Sequence, residues 1–151
     1  MKKIIICDLD GTLADCTHRQ HYVQGEGKKN WKAFFDGMDK DLLHASLNEV
    51  LQVLHQYYDI YFVSARPDNY RDMTEAWLEE VAGWDLEDEG FSLIMRKAGD
   101  YRADTIVKKE ILDQIRNENV EILMAFDDRK SVVDMWRENG VFTAQVQDHD
   151  F

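Results

Sequence analysis

Cysteines, prolines and long apolar runs are scarce in this chain of 151 residues, and each scarcity excludes a class of protein. Two cysteines are too few for a disulfide framework, which favours a reducing compartment such as the cytoplasm. No apolar stretch approaches the roughly 20 residues that a membrane-spanning helix needs. The first residues lead directly into a strand pattern, so the sequence predicts no secretory signal and no membrane association.

Basic residues are also in deficit. Eighteen lysines and arginines stand against thirty acidic residues, which leaves a formal charge of −12. Such a charge repels polyanions at long range and argues against nucleic-acid binding through general basicity. A phosphate held by a local group of cations remains compatible with it. The hydrophobic content of 44% is enough for a globular core, and the length predicts a single domain over residues 1–151.

Strand and helix patterns alternate along the chain, which predicts an α/β fold. The expected architecture has three layers, with a mostly parallel five-stranded sheet between two layers of helices. Strand patterns cover 3–7, 59–63, 91–95, 120–126 and 141–146, and helical patterns cover 47–57, 74–81, 104–115 and 131–138.

The connection 14–45 shows no strand pattern and is predicted to be a small, lid-like insertion that holds short helices. It is too short for a large cap domain. Trp31, Phe34 and Phe35 lie in it among several lysines. We expect these aromatic rings to pack over the sheet edge, and direct stacking on a substrate is the alternative.

Asp8 and Asp10 follow the first strand pattern and are the most informative pair in the chain. Alternate side chains of a strand share a face, so the two carboxylates begin aligned, and Gly11 allows the backbone to turn there. Two carboxylates at a buried strand end are costly unless a cation or a reaction uses them. The pair therefore predicts a phosphoryl-transfer site with a divalent cation.

Polar residues also follow other strand patterns, at the edge of the sheet where ligands bind in such folds. Ser64 and Arg66 follow the second strand pattern, and Asp127 and Asp128 follow the fourth. Lys108 lies near the start of the helix after the third. We expect these residues to converge on one site.

The motif at 8–12, Asp-Leu-Asp-Gly-Thr, resembles the first motif of the haloacid dehalogenase (HAD) superfamily of phosphatases. Within that superfamily the chain is most similar to the phosphatase domain of phage and bacterial polynucleotide kinase–phosphatases. The likeness is carried by 8–14, 18–19, 64–66, 95–96, 99–104, 107–108, 127–129, 132–137, 145–146 and 150–151.

The resemblance implies that Asp8 is a nucleophile that forms an aspartyl-phosphate, which divides one difficult displacement into two easier steps. It implies that Asp10 is the general acid and base, in an environment that raises its pKa toward working pH. Mg²⁺ would be held by Asp8, by the backbone carbonyl of Asp10 and by Asp128. Asp127 is the alternative to Asp128 as the direct ligand.

Two further residues would stabilise the phosphoryl group. By the resemblance, Ser64 donates a hydrogen bond to its oxygens and Lys108 neutralises the charge that builds on them. Each residue also has a purely structural interpretation. Ser64 would then cap a helix that follows Pro67, and Lys108 would lie on a solvated helix face. No histidine has the spacing of a metal site, and none is assigned a catalytic role.

The resemblance also implies a substrate-binding set, which consists of Thr12, Arg19, Arg66 and Asp104. Arg66 would bind a phosphate or pair with an acidic site residue, and Arg19 would reach the substrate from the insertion. Asp104 would orient Arg66 or Lys108. Ordinary surface ion pairs are the alternative for these charged residues.

The function implied is a magnesium-dependent phosphomonoesterase that acts on 3′-phosphate ends of nucleic acid. The alternatives are a 5′(3′)-nucleotidase that acts on nucleoside monophosphates, and a non-catalytic phosphate-binding module. The sequence contains no Gly-x-x-x-x-Gly-Lys-Ser/Thr phosphate loop, so no kinase activity is expected from these residues. We expect no obligate protein partner. The expected location is the cytoplasm, which would be the host's if the chain is phage-encoded.

Overall fold

A computed structural model describes residues 1–149, and Asp150 and Phe151, the end of the resembling tail, lie outside the described residues. The strands are β1 (Lys2–Cys7), β2 (Ala14–Asp15), β3 (Leu42–Leu43), β4 (Asp59–Pro67), β5 (Phe91–Arg96), β6 (Val120–Arg129) and β7 (Thr143–His149). The α-helices are α1 (Trp31–Asp36), α2 (Ala45–Leu54), α3 (Arg71–Glu80), α4 (Asp104–Arg116) and α5 (Lys130–Glu138). Short 3₁₀ helices cover Thr17–Tyr22, Met38–Lys40 and Asp68–Tyr70.

The main sheet has five parallel strands in the order β5-β4-β1-β6-β7, with β1 at its centre. Alternate residues of β1 belong to two different cores. Ile5 and Cys7 pack with Leu51 and Trp77 on one face, whereas Ile4 and Ile6 pack with Trp136 and its neighbours on the other. Because helices cover both faces, Ile4 to Cys7 form an unbroken buried run. The predicted three-layer α/β fold with a mostly parallel sheet is confirmed.

Three strands extend by three or more residues beyond their predicted ends, and the extension affects the site. β4 continues to Pro67, β6 to Arg129 and β7 to His149, and each continuation keeps a partner on the neighbouring strand after a shift of register. Ser64 therefore lies within the C-terminal part of β4, and Asp127 and Asp128 lie within that of β6. None of the three lies in a loop that follows a strand.

The insertion contains short helices, as predicted, but the expectation of no strand in it is wrong. Ala14–Asp15 and Leu42–Leu43 pair antiparallel, so the two ends of the insertion close on each other. Two-residue strands carry too little alternation to be detected in a sequence. Within residues 1–149, no helix combines the length and the hydropathy needed to cross a bilayer.

Candidate active site

The carboxyl ends of β1 and β6 and the start of α4 meet at one large cavity. Its volume is about 970 Å³, and Asp8, Asp10, Lys108, Asp127 and Asp128 all lie on its wall. These residues come from three separate parts of the chain, so the predicted convergence is observed for them, whereas Ser64 and Arg66 lie outside the cavity wall.

Asp8, Asp127 and Asp128 form a compact group of buried carboxylates, with one ligand oxygen of each within 4.8 Å of the others. Burial raises the pKa of Asp8 well above its usual range, and the nearby charge of Asp127 raises it further. Burial likewise raises the pKa of Asp128. Carboxylates that resist ionisation in this way gain from a bound cation, and an all-oxygen donor set suits Mg²⁺. The residues present therefore fit the implied metal.

Lys108 supplies a fixed positive charge inside this group. Its Nζ lies 2.8 Å from Asp8 Oδ1 and 3.0 Å from Asp127 Oδ2, and the residue is almost fully buried. Burial alone would lower the pKa of Lys108, but Asp127 and Asp8 more than offset that effect and raise it. The ammonium therefore stays charged beside the reacting carboxylate, and the interpretation of Lys108 as a solvated residue is wrong.

The partners of Asp127 and Asp128 distinguish the two carboxylates. Asp127 Oδ1 accepts the backbone N–H of Asp128 at 2.9 Å, and its Oδ2 accepts Trp136 Nε1 at 3.1 Å in addition to Lys108. Asp128 accepts the Thr12 hydroxyl on Oδ1 at 3.2 Å and contacts His149 Nδ1 through Oδ2 at 2.6 Å. Both oxygens of Asp127 are thus tied to fixed donors of the core.

Thr12 lies behind the carboxylates. Its buried hydroxyl is 2.9 Å from Asp8 Oδ2 and 3.2 Å from Asp128 Oδ1, so it bridges the two strands that carry them. We expected Thr12 to bind substrate. In the structure its hydroxyl contacts Asp8 and Asp128 instead and positions these two carboxylates.

Gly11 is required by both its conformation and its surroundings. Its φ is +83°, and a Cβ at this position would lie 2.1 Å from Asp128 Oδ2 and 3.0 Å from His149 Nδ1. A side chain would therefore be strained and would also displace the Asp128 carboxylate.

We expect Gly11→Ala to lower phosphatase activity by about tenfold or more, since about 1.4 kcal/mol of lost positioning already costs a factor of ten. Gly83→Ala is the matched control, because Gly83 also has a positive φ of +75° but has open space around it. Both variants should lose about 1–2 kcal/mol of stability from backbone strain, while only Gly11→Ala should lose activity. Equal activity of the two variants, measured as phosphate release, would contradict this assignment.

Asp10 does not join the carboxylate group with its side chain. It pairs with two buried arginines: Arg66 Nη2 donates to Asp10 Oδ1 at 2.6 Å, and Arg19 Nη2 donates to the same oxygen. Both guanidinium groups also reach Asp41, through Arg19 Nε at 2.8 Å and Arg66 Nη2 at 3.3 Å. Two carboxylates and two guanidinium groups thus form one buried network. Phe34 packs against the Arg19 guanidinium, whose Cζ lies 4.3 Å from the centre of the Phe34 ring.

This network corrects two expectations. Arg19 and Arg66 are each about 1% exposed, so they hold Asp10 and do not reach out to a substrate. For Arg66 this confirms the alternative of pairing with an acidic site residue. Burial alone would raise the pKa of Asp10, but Arg66 and Arg19 together lower it below its usual range, which is opposite to the expected direction. In this state Asp10 is an ionised base.

The structure excludes the helix-cap interpretation of Ser64 and the expected contacts of Asp104. Ser64 is fully buried within β4, where its Oγ accepts the backbone N–H of Arg66 at 3.1 Å, so it is not a helix cap. Asp104 bridges two other arginines, at 2.6 Å from Arg96 Nη2 and 2.7 Å from Arg129 Nη1. The expected contact of Asp104 with Arg66 or Lys108 is replaced by this bridge at the start of α4.

Three functional positions were missed in the sequence: Asp41, His149 and the indole N–H of Trp136. Asp41 lies in the insertion, where no periodic pattern marks it. Trp136 packs in the core, as a residue of its type usually does, but its N–H also holds Asp127. His149 lies at the end of β7, so the rule that ligands gather at strand ends would have identified it if the predicted strand had reached that far.

Comparison with known proteins identifies the family of the chain. Residues 2–151 match the family model of the polynucleotide kinase PNKP phosphatase domain. A chain of the Pnkp1/Rnl/Hen1 RNA repair complex is 34% identical with a TM-score of 0.78, over 100% of this chain and 44% of that one. A "Putative bifunctional polynucleotide kinase/RNA ligase" of Autographa californica nuclear polyhedrosis virus is 25% identical, over 90% of this chain and 18% of the relative.

A class C acid phosphatase from Bacillus anthracis shares the fold, with a TM-score of 0.61 at 18% identity, over 97% of this chain and 69% of that one. Against the RNA repair chain and the viral relative, by contrast, this chain spans less than half of the relative's length.

Proposed function

The chain belongs to the family of polynucleotide kinase PNKP phosphatase domains, and on this basis we propose that it is a magnesium-dependent phosphatase of 3′-phosphate ends of nucleic acid. HAD-type phosphatase activity follows from the family itself. The metal, the covalent intermediate and the polymer substrate are the proposed parts. The observation that carries the metal and the covalent intermediate is the buried group of Asp8, Asp127 and Asp128 around the Lys108 ammonium.

In the first step, an oxygen of Asp8 attacks phosphorus and the bond from phosphorus to the ester oxygen breaks. The product is an aspartyl-phosphate, and the leaving oxygen takes a proton from Asp10. Lys108, already 2.8 Å from Asp8, lies where negative charge gathers on the phosphoryl group. Ser64 would add a hydrogen bond from the end of β4.

In the second step, Asp10 removes a proton from the water that hydrolyses the aspartyl-phosphate. The observed pairing with Arg19 and Arg66 presents Asp10 in the ionised form that this step needs. The first step needs the protonated form. A phosphate dianion arriving beside Asp10 raises the pKa of its carboxyl by like-charge repulsion, so the substrate itself favours that form.

Asp8, Asp128 and the backbone carbonyl of Asp10 would hold Mg²⁺, and when bound it would offset the negative charge of the phosphate and of the carboxylates. Asp128 is favoured over Asp127 as the direct ligand. Both carboxylates already have a partner at each oxygen, but Asp127 pairs with the Lys108 ammonium, whereas Asp128 is held by the Thr12 hydroxyl and by His149. The role of Asp127 is therefore to hold Lys108 in place.

The polymer substrate is supported by the relatives. The RNA repair complex and the viral kinase/ligase act, by their names, on polynucleotides. The other activities of those longer proteins are not carried over, because this chain spans only part of them. That no protein partner is required stays a prediction, since the structural relative is one chain of a complex.

We expect a 3′-phosphorylated single-stranded oligonucleotide to be hydrolysed with a kcat/KM about ten times or more that of the matching nucleoside 3′-monophosphate, because contacts with the next nucleotides add binding energy. Phosphate release would be measured for RNA and DNA oligonucleotides with 3′- or 5′-phosphates. Chelation should abolish activity and added Mg²⁺ should restore it. Faster turnover of mononucleotides would instead identify a nucleotidase, and no turnover of any ester would identify a phosphate-binding module.

A further inference from the structure

The cavity above the carboxylates is much larger than a phosphate requires. Its volume of about 970 Å³ lies at the upper end of the roughly 300–1,000 Å³ range of pockets that bury whole organic ligands. Catalytic residues account for only one part of its wall. Much of the remainder is aromatic: Trp31, Phe34, Phe35, Tyr70 and Tyr101.

Tyr101 is the most exposed of these rings, at 94%. The turn that carries it is nevertheless firmly held. Arg96 Nη1 donates to the backbone carbonyls of Asp100 and Arg102, at 3.1 Å and 2.6 Å, and Asp68 accepts the backbone N–H of Ala98 at 2.9 Å. A large aromatic ring is thus presented on a hydrogen-bonded turn beside the site, and it is almost fully exposed among residues 1–149.

Trp31 belongs to another aromatic part of the cavity wall, separate from Tyr101. Its ring stacks on Phe35, with 5.9 Å between ring centres, and Phe35 in turn contacts Tyr70 at 5.5 Å. Phe34 lies edge-on beneath Trp31 and is itself buried over Arg19. Trp31 is held from below in this way but remains 43% exposed.

We propose that Tyr101 and Trp31 are stacking surfaces for the nucleobases next to the terminal phosphate, so that the enzyme takes an unpaired 3′ end. This inference rests on the proposed function. Base–aromatic stacking accepts any base and contributes about 5- to 150-fold in affinity per ring. It also requires no cation, which suits a chain whose net charge of −12 repels a polyanion. Trp31 is already held by its ring contacts and loses little freedom when a base binds, and the backbone of the turn that carries Tyr101 is likewise already fixed.

The experiment compares two substrates that differ only in their last bases. One is a single-stranded oligonucleotide with a 3′-phosphate, and the other is the same oligonucleotide with abasic residues at its two terminal nucleotides. We expect Tyr101→Ala and Trp31→Ala to lower kcat/KM on the first by about 5- to 150-fold, mainly through KM, and to affect the abasic substrate far less. Tyr101→Phe and Trp31→Phe should restore most of the loss, because they keep the ring.

Tyr57→Ala is the matched control, since Tyr57 is 75% exposed and does not line the cavity. Equilibrium binding of the fluorescently labelled oligonucleotide, measured by anisotropy, should follow the same order as KM. An equal loss on the normal and abasic substrates, or no loss on either, would overturn the stacking role and leave the 3′-phosphatase intact. If the unmodified protein hydrolyses neither oligonucleotide, the proposed function fails and the stacking role fails with it.

Discussion

Replacing Asp8 by asparagine is expected to lower phosphatase activity by a factor on the order of 10⁴ or more, the scale seen when a covalent nucleophile is removed. The amide has nearly the same shape as the carboxyl but cannot form an acyl-phosphate. The loss should be of this order for every substrate, including esters with good leaving groups, because Asp8 has to attack phosphorus in each of them.

The same variant should fold at least as well as the unmodified protein in the absence of metal. Burial and the charge of Asp127 already disfavour the Asp8 carboxylate, as its raised pKa shows. An uncharged amide removes that repulsion, at the cost of one ion pair with Lys108. Urea unfolding in the presence of a chelator measures this effect separately from activity.

Asp113→Asn is a suitable control, because Asp113 is an exposed aspartate of α4 paired with Lys109. It should leave phosphate release unchanged. An Asp8→Asn protein that is folded and retains about a tenth of the activity would remove the aspartyl-phosphate from the mechanism and indicate direct attack by water.

The fold and the centre of the site could be predicted because both depend on local rules. Unbroken apolar runs such as Ile4 to Cys7 indicate strands buried on both faces. The carboxyl ends of parallel strands lie at one edge of the sheet, so Asp8 and Asp128 were expected to meet although 120 positions separate them. The structure brings them together with Asp127.

The roles of Thr12, Arg19 and Arg66 could not be predicted in the same way. Their positions near the site were anticipated, but whether a cation faces the substrate or lies behind a carboxylate depends on side-chain direction and burial. The burial of the two arginines depends on their contacts with Asp41. Asp41 lies in the insertion, where neither helical nor strand periodicity predicts the position of a residue. As long as Asp41 is not recognised as their partner, nothing in the sequence predicts that the two guanidinium groups are buried.

Replacing Asp41 by alanine is expected to lower the free energy of unfolding by about 3–5 kcal/mol, the cost of removing one partner from a buried ion pair. Asp41 accepts hydrogen bonds from Arg19 Nε and Nη2 and from Arg66 Nη2. Asp10 alone would then face two buried positive charges, and no water is available to solvate the second. Removal of the exposed Asp113 carboxylate should by comparison barely move the urea midpoint.

We expect the Asp41→Ala variant to lose activity as well as stability. The loss of activity has a separate cause, which a second measurement can isolate. When Asp41 is absent, Asp10 no longer shares the two guanidinium groups with a second carboxylate, so their effect on it is stronger. The pKa of Asp10, which is already below its usual range, then falls further. A smaller fraction of Asp10 is then protonated and able to serve the leaving oxygen, and its carboxylate is also a weaker base toward the water of the second step. The loss in kcat/KM, which reports the reaction up to formation of the aspartyl-phosphate, should therefore be larger for an alkyl phosphate, which needs the acid, than for p-nitrophenyl phosphate, which does not. If both esters lose the same factor, Asp41 serves only to hold the fold.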